Sequence, residues 1–186
     1  ETIRNFGKSY RDAKLVHRLD KDTSGCQVIA KNNKFLRNCN KLISERKVKK
    51  TYQAIVHGNW IHKDGIYEIN IEKNMLIGKE RMVRISDGGK IAKTFFKVIE
   101  SSKHFSLIQC ELITGRTHQL RVHLSELGFP IVGDKKYGIK ENKFPISSGH
   151  KKRMYLHANS FISKDLNIHI NIKPPKEFKK ILKNDE

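Results

Sequence analysis

The chain has 186 residues, and its 38 Lys and Arg against 19 Asp and Glu give a formal net charge of +19. That length suits one domain with a single core, and that excess of cations favours a polyanionic partner; an anionic membrane would also attract it, but no clean basic amphipathic helix is present. No window approaches the roughly 20 apolar residues of a membrane span, and residues 1–12 are polar with no signal-peptide core. Cys26, Cys39 and Cys110 are odd in number and widely spaced. They read as small buried hydrophobes in a reducing cytoplasm, not as a disulfide framework or a Cys-x-x-Cys zinc site. A surface of merely solvated lysines is the alternative to a polyanion-binding one.

Residues 1–14 lack a period, and the first residue is not methionine. The stretch Leu15-Val16-His17-Arg18-Leu19-Asp20-Lys21-Asp22-Thr23-Ser24-Gly25 then packs basic residues and carboxylates around a turn. A strand is expected over 26–31, followed by a helix capped by Asn32 or Asn33 and running to about Lys47. Phe35, Leu36, Cys39, Leu42 and Ile43 share one face of that helix. A strand over 49–56 puts Tyr52, Ala54 and Val56 on one side.

Residues 65–113 read as β throughout, with Asp87-Gly88-Gly89 as a hairpin-like turn between 82–85 and 92–99. A helix over 116–127 follows, with Leu120, Leu124 and Leu127 inward and Gly128 as its C-terminal cap. Residues 129–150 read as a loop. Strands over 154–161 and 166–172 close the sheet, and Pro174-Pro175 opens a short basic helix. The sum is an α+β fold: a mostly antiparallel mixed sheet with flanking helices and a cleft across the sheet.

The residues that carry chemistry admit two readings each. Asp20 is either a turn residue or a nucleophile at the mouth of a strand, and Asp22 is the rival carboxylate and the better turn-former. Tyr52 is either core or a ring on which a base stacks. Arg121 sits on the buried flank of its helix and needs a carboxylate, for which Asp20 is the candidate; a carboxylate so held stays ionised. His118 and His123 are five apart, not the four that aligns two metal ligands, so no metal site is expected. No phosphate-cradling or dinucleotide-binding glycine pattern and no Gly-x-Ser-x-Gly elbow is present, so no cofactor is expected.

Three stretches together resemble one family. His17-Arg18-Leu19-Asp20-Lys21-Asp22-Thr23-Ser24-Gly25 is similar to the signature of the RluA-type pseudouridine synthases. Lys50-Thr51-Tyr52-Gln53-Ala54 resembles their second motif, and Thr114-Gly115-Arg116-Thr117-His118-Gln119-Leu120-Arg121-Val122-His123 their third. Gly133-Asp134, Tyr137-Gly138 and Leu156-His157-Ala158 continue the match. The resemblance implies an isomerase that converts specific uridines of large-subunit (23S) ribosomal RNA to pseudouridine, in the cytoplasm, without metal or cofactor, as a monomer. It implies Asp20 as the catalytic aspartate, Tyr52 as the active-site tyrosine and Arg121 as the arginine that pairs with the aspartate. Arg18 would fill the gap left by a flipped base, with His17, Thr23, Arg116 and His118 as further RNA contacts. Other members carry an S4 domain and a strand ahead of the first motif. Residues 1–186 are therefore expected to be a catalytic-domain fragment. The same chemistry on transfer RNA, and a non-catalytic RNA-binding assembly module, are the alternatives.

Overall fold

The computed structural model describes residues 13–77, 80–139 and 153–183. Residues 1–12 of the expected aperiodic start (1–14) and residues 140–150, the second half of the expected 129–150 loop, lie outside the described residues. In chain order the elements are β1 (Lys14–Leu15), β2 (Ser24–Gly25), β3 (Ile29–Ala30), α1 (Asn33–Ser44), β4 (Lys49–His57), β5 (Gly65–Ile77), β6 (Glu80–Ile85), β7 (Lys90–Ser101), β8 (Phe105–Leu112), α2 (Gln119–Glu126), β9 (Leu156–Ser163), β10 (Ile168–Asn171) and α3 (Glu177–Lys183). No helix among the described residues is long and apolar enough to cross a membrane.

An eight-stranded sheet runs β10-β9-β4-β8-β7-β5-β6, all neighbours antiparallel, while β2 adds a short parallel pairing to β9. Alternation along β4 sends Tyr52, Ala54 and Val56 to one face. There they pack with Phe96, Ile108 and Cys110 under Leu120 and Leu124 of α2. Each such fully buried leucine contributes about 1.5–3 kcal/mol. Ile55 and Leu107 point to the opposite face and meet Phe178, Ile181 and Leu182 of α3. The central strands are thus covered on both sides.

Several expected elements are redrawn. The strand over 26–31 shrinks to Ile29–Ala30, because its only strand partner among the described residues is the two-residue β1. Cys26 and Val28 are still buried, against Cys39 and Leu42 of α1. The helix α1 starts as expected: the Asn32 side chain accepts from Phe35 N at 2.9 Å, but the helix ends at Ser44, before Arg46 turns left-handed (φ 59°).

The turn at 87–89 does not close a hairpin between its flanking strands. Both β6 and β7 instead run antiparallel to β5, which is long enough to pair with β7 over 65–71 and with β6 over 71–77. The turn itself is real, closed by Gly89 N to Ser86 O at 2.8 Å, and a Cβ at Gly89 would run into the backbone of Ile71. Helix α2 begins at Gln119, not at 116, because His118 is left-handed (φ 52°). It ends as expected, with Gly128 at φ 84° and Phe129 N bonded to Leu124 O at 2.9 Å. The described part of the expected loop is no loose connection: Phe129, Ile131, Val132 and Asp134 are all buried.

Candidate active site

A cavity of about 750 Å³ opens between the 16–23 loop, the start of β4 and the 111–121 segment. Its wall includes Asp20, Tyr52 and Arg121, the residues expected to be catalytic. His17, Arg18, Thr23, Arg116 and His118 line it too, as do Arg46, Lys49 and Lys50. Asp22, the rival carboxylate, is exposed and is not part of that wall.

Asp20 sits at the head of a turn, its carbonyl accepting from Thr23 N at 3.0 Å. The loop that carries it is tied down downstream by β2, where Ser24 and Gly25 run beside His157 and Ala158 of β9. Gly25 is required there. Its φ is 111°, and a Cβ would fall on the Ala158 carbonyl. Tyr52 lies one strand over, on β4, bracketed by Cys110 and Ala158. The β4–β9 register slips beside it, between Thr51 and Tyr52, and such bulges re-aim side chains.

Arg121 reaches Asp20 from α2, Nη1 donating to Asp20 Oδ2 at 3.2 Å. This is not its main contact. Nε and Nη2 donate to the two oxygens of Asp134 at 2.7 and 2.8 Å. The expectation of a single carboxylate partner for Arg121 is therefore amended: Asp134 holds the fork, and Asp20 takes what is left. Asp134 is itself fixed by the amides of Lys136 (2.9 Å) and Tyr137 (3.2 Å). The guanidinium also lies 5.0 Å from the Tyr137 ring centroid.

Burial alone would lower the Arg121 pKa, but Asp134 and then Asp20 outweigh it and hold it above its ordinary value. Burial likewise pushes Asp134 up, yet its bonds to Arg121 and the two amides bring it below the usual carboxylate range. Both shifts favour the ionised pair near neutral pH.

Tyr52 is pushed up to about 12, chiefly by burial and then by the Asp20 and Cys26 charges. It is a neutral phenol near pH 7. Burial and then the Lys50 charge lower His17 to about 4. Its neutral ring accepts from Val28 N at 3.2 Å and stacks on Phe161 at 5.4 Å. It faces the loop's own backbone as well as the cavity.

Arg18 is exposed on the rim, and Arg116 donates to Ile91 O at 3.1 Å. The Thr23 hydroxyl is buried without a hydrogen-bond partner among the described residues. Lys49 meets Glu111 at 2.6 Å, which leaves the cations of the wall in excess. Gln119 locks the 114–119 turn onto β7, its amide donating to Lys93 O and Thr94 Oγ1 at 2.9 and 3.0 Å.

Among the described residues no group of three or more His, Cys, Asp and Glu is placed to hold a metal ion. His118 contacts Tyr137, whereas His123 is buried beside Thr94 and Phe96. Sequence reasoning gave no role to Asp134 or Tyr137. The signal for Asp134 was a lone acid after a glycine, in a lysine-rich stretch, with a buried arginine elsewhere needing charge.

Comparison with known proteins gives a consistent result. Residues 1–126 match the family profile described as RNA pseudouridylate synthase. The chain is 39% identical over 160 residues to the ribosomal large subunit pseudouridine synthase C of Haemophilus influenzae, covering 86% of this chain and 50% of that protein. The Escherichia coli (strain K12) protein of the same name is 38% identical over 160 residues, 85% of this chain and 50% of its own. The chain thus spans about half the length of the curated relatives it matches. Human RNA pseudouridylate synthase domain containing 1 superposes with a TM-score of 0.79 at 27% identity, covering 95% of this chain and 74% of that one. Human RNA pseudouridylate synthase domain containing 4 gives 0.73 at 31% identity, covering 92% and 75%.

Proposed function

Since the chain belongs to the RNA pseudouridylate synthase family, we propose that it isomerises uridine to pseudouridine in large-subunit ribosomal RNA. The observation that carries this reading is Asp20, held in the cavity wall by an arginine that a second, buried carboxylate clamps. The ribosomal substrate is supported by the names of the bacterial relatives and by the net charge of +19. Residues 1–186 form the catalytic unit in this reading. The work takes place in the cytoplasm, in keeping with three free, buried cysteines.

The reaction conserves every atom. The N1–C1′ bond breaks, the uracil turns, C5 bonds to C1′, the C5 proton leaves and N1 ends protonated. No electron is gained or lost, so the proposal calls for no metal or cofactor. Asp20 supplies the nucleophilic oxygen, toward C1′ or C6, or takes a ribose proton. Arg121 fixes that oxygen's direction.

Tyr52 presents a ring to the flipped base and a hydroxyl to its edge. Its raised pKa favours this stacking and hydrogen-bonding role over that of a free phenolate base. Flipping the nucleotide costs a few kcal/mol, and Arg18 on the rim offsets part of it by stacking in the gap. Thr23, Arg116 and His118 face the nucleotide, and His17 supports the loop under Asp20. The surrounding cations take the phosphates.

The test is tritium release from C5-labelled uridine in ribosomal RNA. The wild-type chain should release it and Asp20→Ala should not. Turnover by that variant would overturn the nucleophile, and no product from the wild type on ribosomal RNA would overturn the function.

A further inference from the structure

His118 stands at the entry to α2 in the left-handed region, with φ 52°, and its side chain makes no capping bond for the helix it precedes. A non-glycine residue held there is strained, and such strain gathers at functional sites. What the conformation achieves is visible in the ring contacts. His118 Nδ1 lies 2.9 Å from Tyr137 Oη, and Tyr137 Oη accepts from Val83 N at 3.0 Å. The Val83 amide takes up one acceptor position of that oxygen and leaves the hydroxyl hydrogen free to point at Nδ1. In that arrangement the imidazole proton sits on Nε2. Across the ring, Nε2 is 3.9 Å from Asp20 Oδ1, too far for a direct hydrogen bond and close enough for its carboxylate to favour a proton on that nitrogen. Nε2–H therefore points into the cavity beside the proposed nucleophile.

We infer that His118, set by Tyr137 in its Nε2–H form, is a catalytic hydrogen-bond donor to a carbonyl oxygen of the pyrimidine held beside Asp20. The inference deepens the proposed function and rests on it. When the N1–C1′ bond breaks, negative charge spreads onto the pyrimidine oxygens, and a fixed neutral donor stabilises that charge more than it does the intact base. Neutrality follows from the surroundings: burial first, then Arg121 and Lys136, lower the His118 pKa against the opposing charges of Asp20 and Asp134. Tyr137 is the positioning residue, and it lies in the same segment as Asp134. One turn therefore orients both the arginine and the histidine.

The experiment combines tautomer and rate on the full chain. Two-bond proton–nitrogen spectra of histidine-labelled protein, without RNA, should show His118 protonated on Nε2 in the wild type and a mixture in Tyr137→Phe. Kinetics on ribosomal RNA should show His118→Asn losing about 10²-fold in kcat with KM little changed. Asn accepts the left-handed backbone, so folding does not explain such a loss. His118→Gln, whose amide reaches the Nε2 position, should recover most of it. An Nδ1-protonated wild-type ring, or full kcat in His118→Asn, would overturn the inference. Absence of pseudouridine from the wild type removes the proposed function itself and leaves the tautomer result standing as a separate fact.

Discussion

Two arginine–carboxylate pairs in this protein have similar contact lengths and opposite surroundings. Arg84 on β6 meets Glu72 on β5 at 2.9 and 3.0 Å, with 53% and 42% of the side chains open to water. Arg121 meets Asp134 at 2.7 and 2.8 Å, with 10% and 1% open. The first pair is screened and can trade partners with solvent or with an incoming phosphate. The second has lost most of the hydration of both charges, and Asp20 is the one further carboxylate on Arg121 among the described residues. Buried pairs fix direction, then, while exposed cations supply adaptable attraction. The cavity uses both: a clamped guanidinium at its base and loose cations at its rim.

Breaking the buried pair should have the largest effect. Asp134→Ala leaves Arg121 charged and half-served, and should reduce stability by about 3–5 kcal/mol in urea unfolding. It should also lower kcat by about 10²-fold through misdirection of Asp20. Replacing both partners, Arg121→Met with Asp134→Leu, removes the stranded charge but also the acceptor of the Lys136 and Tyr137 amides, so it should recover part of the stability and none of the activity. Activity in that double variant would mean the pair is only scaffolding.

Acid should weaken the interior next. His123, fully buried between Thr94 and Phe96, is lowered by burial to about 4, and His17 likewise. The unfolded chain takes up these protons near pH 6.5, before the folded one does. Stability is therefore level above about 6.5 and falls as pH drops toward 4. His123 alone accounts for about 3 kcal/mol of that fall. Unfolding midpoints measured from pH 7.5 to 4.5 check it, and a flat profile would contradict the burial of these rings.

A smaller change is expected at the rim. Arg46 is exposed beside the cavity. Arg46→Ala should weaken RNA binding modestly and reduce the slope of log K against log salt by about one, with kcat unchanged. The smallest effect belongs to Glu72→Ala, which should leave melting temperature and turnover within error. A large loss there would undo the contrast drawn between the two pairs.

The sequence made some of this plain and hid the rest for definable reasons. Tyr52, Ala54 and Val56 alternate, and alternation alone assigns a face. Asn32 and Gly128 mark helix ends by local chemistry, and both are where they were expected. Pairing is not local. Asp87-Gly88-Gly89 reads as a hairpin because the turn is one, but a 13-residue β5 accepts both flanking strands. Arg121 demanded a carboxylate, and that demand led to Asp20. The fuller partner, Asp134, was hidden in a stretch whose glycines and lysines look like a solvated loop, and only the tertiary fold buries it. His118 was read as helical because its neighbours are, and the left-handed turn that aims its ring leaves no mark in residue periodicity.

The parallel ladder of Ser24 and Gly25 on β9, closed by Cys26 N to Ala158 O at 2.8 Å, has a consequence for motion. The Asp20 loop is stitched to the strand that also borders Tyr52, so it has no hinge of its own. Amide deuteration at Cys26 should be as slow as along β9, and the Asp20 to Tyr52 spacing should survive any fluctuation short of unzipping the sheet. If the proposed function holds, admission of a nucleotide comes from distortion of the RNA, with the protein acting as a rigid die against which the nucleic acid is pressed into shape.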